Sequence, residues 1–244
     1  MASKIKKFLI PGLIFLSVIV ANVLPRGPSN FLEAKKIVRQ LFKDQPYTFY
    51  CGCEYNSKGF LNTQSCGYKA QKKWERAERI EIEHIMPAHT FGKNLPCWRK
   101  KDCLSTQGKK IKGRKCCQAI DARFNQMEAD LYNLVPAIGE VNYTRSNYKF
   151  AELSHIQVGL FGDCYFKVDF QKKLVEPDSK LKGWIARAYL YMSDTYALKL
   201  SDKEKQQFLT WHEAYPPNRI EIDWAQEIFR ITRNKNHYIL NGIK

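Results

Sequence analysis

The sequence contains no internal repeat, no low-complexity tract and no Gly/Ser-rich or Pro-rich linker, so nothing divides its 244 residues and one domain is the simplest organisation. It is short of acid, with 24 Asp plus Glu against 40 Lys plus Arg and a formal charge of +16. That imbalance points to a polyanionic partner, either nucleic acid or an anionic membrane surface, and says nothing about fold. A hydrophobic content of 44% excludes a disordered basic tail. No apolar run is long enough to span a bilayer. Phe8 to Val20 falls short of the ~20 residues a spanning helix needs and is interrupted by Pro11 and Gly12. Preceded by Lys4, Lys6 and Lys7 and followed by Ala21, it reads as a secretory signal over residues 1–21 rather than an anchor. Removal of those three lysines takes the charge from +16 to +13 on residues 22–244.

Zinc-site spacings are missing as well. Cys51 and Cys53 are separated by one residue and Cys116 and Cys117 by none, where structural zinc sites use roughly two to four. His84 and His89 are five apart with Pro87 between them, which breaks the i, i+4 geometry of a helical zinc-protease motif. What is present is an even set of eight cysteines in a chain read as exported, and this predicts up to four disulfides whose connectivity stays open. Oxidised thiols exclude a cysteine nucleophile. Seven of the eight lie between 51 and 117, so that half is expected to be loop-rich and stapled.

Several elements are readable from pattern. Asn30 caps a helix with Glu33 three residues on, and Phe31, Ala34, Ile37, Val38, Leu41 and Phe42 follow helical spacing towards Pro46. Tyr47 to Tyr55 reads as a strand entering a hairpin through a turn at Asn56 to Gly59. Glu78 to Ile85 alternates at period two and is a strand stopped by Pro87. Trp98 to Lys115 reads as a long basic loop, Phe124 to Leu134 as a short helical or irregular passage, and Ala137 to Asn147 as a helix. Helices are predicted over Leu181 to Leu198, from a Ser201 to Glu204 capping box to about Trp211, and over Arg219 to Thr232.

Chemistry can sit in three places. Glu83-His84 offers a hard oxygen ligand for a divalent cation beside a base that titrates near neutrality. Adjacent strand residues face opposite ways, so both serve one site only where the strand ends, as Pro87 allows. Taken alone, His84 is read as an ordinary surface or core histidine. The second place is Lys109 to Lys115, which with Lys69, Lys72, Lys73, Arg76, Arg99, Lys100 and Lys101 suits a surface tracking phosphates without reading sequence. The third is Met127 to Asn142, from which the residues alone pick no ligand.

Taken in order, these segments resemble the bacterial endonuclease I family of periplasmic and secreted nucleases. The matching stretches include Phe49 to Cys53, Ser65 to Tyr68, Arg79 to Ala88, Gly113 to Cys117, Met127 to Asn142, Arg145 to Asn147 and Ile185 to Met192, and they cover most of residues 22–244. The resemblance implies a single mixed α+β domain with a ββα-metal (His-metal finger) core, several C-terminal helices and a disulfide-stapled half. It implies that Glu83 and Asn142 are ligands of one Mg²⁺, that His84 is the general base and that Arg114 binds phosphate, while Asn133 is structural. The expected function is a monomeric periplasmic or secreted endonuclease acting on DNA, and on RNA, with no membrane insertion after signal removal. It would leave 5′-phosphate and 3′-hydroxyl ends. The alternative is a non-catalytic basic binder of nucleic acid or another polyanion. Two departures stand out: Tyr143-Thr144 follows Asn142 where the family commonly has Gly-Asp, and C-terminal cysteines found in family members are absent here. Cys103 is expected to pair with Cys116 and tie down the basic loop.

Overall fold

The computed structural model describes residues 27–241; the signal segment read at 1–21 lies outside them. Helix α1 (Phe31–Leu41) starts as its cap predicts, with the Asn30 side chain accepting from the Glu33 amide and Ala34 and Val38 buried. A short hairpin follows, β1 (Glu54–Tyr55) with β2 (Leu61–Asn62). The extended strand expected over Tyr47 to Tyr55 is therefore confined to its last two residues. Upstream of them the chain is coiled into a turn, in which the Gly52 amide donates to the Thr48 carbonyl and Thr48 Oγ1 receives the Cys53 amide. Upstream pairing is reduced to an isolated antiparallel bridge between Tyr47 and Glu54.

The centre of the molecule is β3 (Ile80–His84) followed, after four short helices, by an antiparallel partner. These helices are α2 (Ala88–Gly92), α3 (Pro96–Arg99), α4 (Arg114–Ile120) and α5 (Ala122–Glu128). The basic loop thus ends at Gly113, and Arg114 and Lys115 open a helix. Gly113 has φ of +55° at that helix's start, a conformation that favours glycine. Strand β4 (Leu134–Ile138) then pairs Leu134 with His84 and Ile138 with Ile80. The sequence pattern places no strand here, with an irregular passage to Leu134 and a helix from Ala137. Pro136 is tolerated because its carbonyl points away from β3 and accepts from the Phe49 amide, so its missing N–H costs no ladder bond. Helix α6 (Gly139–Arg145) follows at once, two residues later than the sequence pattern placed it. A side chain at Gly139 would meet the Arg76 carbonyl at 2.6 Å, so only glycine lets the start of α6 approach the backbone turn at Glu75–Ala77 this closely.

The remainder is scaffold. A three-stranded sheet orders β5 (Lys149–Phe150), β7 (Leu174–Pro177) and β6 (Phe166–Asp169), with β5 parallel and β6 antiparallel to the central β7. Helix α7 (Ser179–Tyr196) is buried on nearly every side from Lys182 to Met192 and runs through the core, packed on α8 (Asp202–Ala214). Helix α9 (Arg219–Thr232) is held to α7 by a buried two-bond pair of Arg187 with Glu221, and α10 (His237–Leu240) closes the described chain. The capping box at Ser201 and Glu204 forms as expected.

All eight cysteines are bridged, as 51–164, 53–66, 97–117 and 103–116. The expected Cys103–Cys116 bridge is present and spans the basic loop. Stapling is not confined to the 51–117 half, because Cys51 reaches across to Cys164 beside β6. No helix among the described residues is long and apolar enough to cross a membrane. The fold is a mixed α+β single domain.

Candidate active site

Glu83, His84, Arg114 and Asn142 line one cleft of about 880 Å³, so the structure brings all four sequence candidates together. They arrive from β3, from the first turn of α4 and from the middle of α6. Lys35 and Arg39 of α1, with Lys72 and Arg76, add positive charge to its walls.

His84 is the last residue of β3, and the chain bends immediately after it at Ile85 and Met86. Asn133 holds that bend. Its carbonyl accepts from the Ile85 amide, while its side-chain amide accepts from Met86 N at 2.6 Å and donates to Met86 O at 3.0 Å. The structural role read for Asn133 is therefore visible as a side chain that continues the ladder where β3 stops. The strand end lets the adjacent Glu83 and His84 border the same cleft.

The imidazole of His84 is buried, with Nε2 2.8 Å from the Glu128 carbonyl, and Phe31 lies 4.6 Å away between ring centroids. A carbonyl can only accept, so Nε2 carries the proton and Nδ1 carries the lone pair. Burial, with the charge of Arg114 second, lowers the His84 pKa to about 3. The ring is accordingly neutral at physiological pH.

Arg114 lies with its guanidinium 5.0 Å from the Phe31 ring, and its Nε donates to the Glu128 carboxylate. Gln118, one turn along α4, donates to the same carboxylate at 2.9 Å. Arg114 stays 40% exposed while Glu128 is buried, so the guanidinium is anchored at one edge and open to the cleft at the other.

Glu83 is buried, accepts at Oε1 from the Tyr50 hydroxyl at 3.2 Å and forms an ion pair with Arg145 at 3.1 Å. Burial raises its pKa to about 7 even though Arg145 and Tyr50 oppose it. Arg145 is wholly buried and also donates to the carbonyls of His84 and Ile85, closing over the same bend that Asn133 holds. Asn142 donates Nδ2 to Glu81 Oε2 at 2.8 Å, and Glu81 is in turn clasped by Arg76 through two bonds of 2.6 Å.

The side-chain contacts of this pair engage Glu83 Oε1 and Asn142 Nδ2, leaving Glu83 Oε2 and Asn142 Oδ1 without a side-chain partner among the described residues. Two hard oxygens bordering one cleft fit the preference of Mg²⁺ for few protein ligands and several waters. No group of three or more His, Cys, Asp or Glu that could hold a metal ion converges among the described residues.

Sequence reading missed Glu128, Arg145, Glu81 and Tyr50 as parts of the site. No local signal marks them, since Glu128 lies between Gln126 and Asp130 and Arg145 between Thr144 and Ser146, and only the fold shows that these charges are buried and paired.

Comparison with known proteins gives a consistent result. A family model described as Endonuclease I matches residues 27–242. The chain is 41% identical over 213 residues to an "Endonuclease-1" of Buchnera aphidicola (subsp. Acyrthosiphon pisum), covering 86% of this chain and 80% of that relative. It is 41% identical over 220 residues to an "Extracellular deoxyribonuclease" of Aeromonas hydrophila, covering 88% and 91%. A "Periplasmic deoxyribonuclease" of the same organism is 38% identical over 214 residues, covering 86% and 85%.

Proposed function

Because the chain belongs to the endonuclease I family, we propose that it is a periplasmic or secreted endonuclease that hydrolyses DNA without sequence preference, accepts RNA as a second substrate and works as a monomer. That it is a nuclease follows from the family. The finer reading rests on one observation, the meeting of Glu83, His84, Arg114 and Asn142 in a single cationic cleft.

His84 acts as general base. Its Nε2–H is engaged by the Glu128 carbonyl, so the free lone pair on Nδ1 accepts a proton from water as that water attacks phosphorus. The new P–O bond forms as the bond to the 3′-oxygen breaks, and that oxygen takes a proton from solvent, leaving 5′-phosphate and 3′-hydroxyl ends. Arg114 donates to a non-bridging phosphate oxygen and stabilises the charge gathering there. Glu83 and Asn142 would hold Mg²⁺, which when bound neutralises charge on the phosphate and on the departing oxygen. In this reading β3, β4 and α6 form the ββα-metal unit. Lys35, Arg39 and Lys72 hold the phosphodiester chain by charge alone, which gives salt-dependent binding indifferent to base identity.

The deciding experiment is cleavage of supercoiled plasmid by wild type and His84→Ala, with Mg²⁺ and with excess chelator. Cleavage by wild type with Mg²⁺ only, and a loss of at least about a hundred-fold in the variant with its circular dichroism unchanged, is expected. A variant that turns over like wild type would remove His84 as base, and salt-sensitive binding without cleavage under any divalent metal would make the protein a binder only.

A further inference from the structure

Tyr143 follows Asn142 directly in α6, is 54% exposed, and borders the cleft. It is one of the two residues at which the chain departs from the family pattern noted above. Its orientation is built, not free. The Arg76 guanidinium lies 4.9 Å from its ring centroid, and the Trp74 ring meets it edge-on at 5.1 Å and 85°. Arg76 is fixed in turn by its two bonds to Glu81, and Trp74 by a 3.1 Å bond from its indole nitrogen to the buried carboxylate of Glu140. Glu140 also accepts from Tyr68 and from the amides of Gln71 and Lys72, so the wall carrying Trp74 and Arg76 is pinned to α6 at four points. The outcome is a rigid, partly uncovered aromatic ring backed by a cation, beside a residue that borders the reaction centre.

The walls of the cleft are cationic, so its occupant is a polyanion. Among linear polyanions, nucleic acids carry a flat π surface on every repeat. Bases stacked within a duplex present only their edges to a protein, whereas an unpaired base presents a face. We propose that Tyr143, backed by Arg76 and Trp74, is a stacking subsite for one unpaired nucleobase next to the scissile phosphate, giving this enzyme a preference for single-stranded or locally opened substrate. The subsite lies in the cleft of the nuclease reading above and rests on that reading for its place beside the scissile phosphate. Arg76 and Glu81 link it mechanically to Asn142, so an engaged base would also steady the α6 side of the cleft.

The test is fluorescence anisotropy in excess chelator with wild type, Tyr143→Ala and Tyr143→Phe. Three labelled probes are used: oligothymidylate of about twelve nucleotides, an abasic strand of the same length, and a blunt duplex hairpin closed by a base-free ethylene-glycol loop. Tyr143→Ala is expected to lose roughly ten-fold in affinity for oligothymidylate while binding the abasic strand and the hairpin as wild type does, and Tyr143→Phe is expected to match wild type. The proposal is overturned if Tyr143→Ala binds oligothymidylate normally, or if it loses as much on the abasic strand or the hairpin, since the ring would then serve backbone contacts or local structure. Because these measurements involve no cleavage, a wild type that fails to cut plasmid but shows the base-dependent difference would retain the subsite and lose the activity.

Discussion

The carbonyl of Glu128 lies 2.8 Å from His84 Nε2, and the carboxylate of the same residue receives Arg114. One buried residue at the end of α5 thus sets the tautomer of the proposed base through its backbone and the aim of the proposed phosphate ligand through its side chain. The two functions are separable by mutation, because a side-chain change leaves the carbonyl in place.

Glu128→Gln should lower kcat roughly ten- to a hundred-fold with a smaller effect on KM, since a misaimed Arg114 loses contact mainly as charge develops. Single-turnover plasmid cleavage with substrate titration tests this. Gln118→Ala, which removes only a supporting donor, should lose less. Equal losses in the two variants would argue against the assignment.

Asn133→Ala removes both side-chain bonds to Met86 at a fully buried position, leaving a backbone donor and acceptor unpaired. A destabilisation of about 2–4 kcal/mol is expected, seen as a fall in Tm of roughly 5–15 °C. Thermal unfolding followed by circular dichroism measures it. A change below about 1 kcal/mol would mean that the bend after β3 is held elsewhere.

Glu176 ties the stability of the scaffold to pH. Burial alone would raise its carboxyl, but the Leu153 amide and the ammonium groups of Lys167 and Lys182 bring it below the ordinary value. A lowered folded pKa contributes stability that is complete above the unfolded pKa and is lost as pH falls through the folded one. Tm of the wild type should therefore fall more steeply than that of Glu176→Gln from about pH 5 downward, with the variant the less stable of the two at neutral pH. Parallel Tm curves would exclude Glu176 as the titrating group.

Replacing Cys51 and Cys164 together by Ser opens the longest bridge, which joins residues 113 apart. The loop-entropy relation puts the cost at about 4–5 kcal/mol. Loss of activity and of Tm together, on mutation or on reduction, is expected because Tyr50, which holds Glu83, adjoins Cys51. Full activity of the fully reduced protein would contradict this.

Much of the scaffold is legible in the sequence where local chemistry decides the outcome. Asn30 and Glu33, Ser201 and Glu204, and the apolar spacing of Trp184 to Tyr196 each act within a few residues, and α1, α8 and α7 lie where those signals put them. Reading failed where distant partners overruled local preference. Leu134 to Ile138 contains a proline yet forms a strand, because its partner is β3 fifty residues earlier and the Pro136 carbonyl serves Phe49 instead. Tyr47 to Cys53 is rich in strand-forming residues yet coils, because Thr48 captures the Gly52 and Cys53 amides. Glu83 and His84 stand out by their own chemistry and Arg114 by its basic run, whereas Asn142 and the role of each residue come from resemblance to a family, and the cleft gathers all four. Their supports, Glu128, Arg145 and Glu81, are unremarkable as letters. Each acquires meaning only from a neighbour that the fold supplies.

The Cys51–Cys164 bridge also alters what a protease can achieve. Any single cut between those two residues, the basic loop at 100–113 included, yields two pieces that remain one covalent molecule. β3 and β4 could then stay paired across the nick, and the cut would be visible on a gel only after reduction. For a protein released among the proteases of a periplasm or an outside medium, the bridge makes a first cleavage survivable.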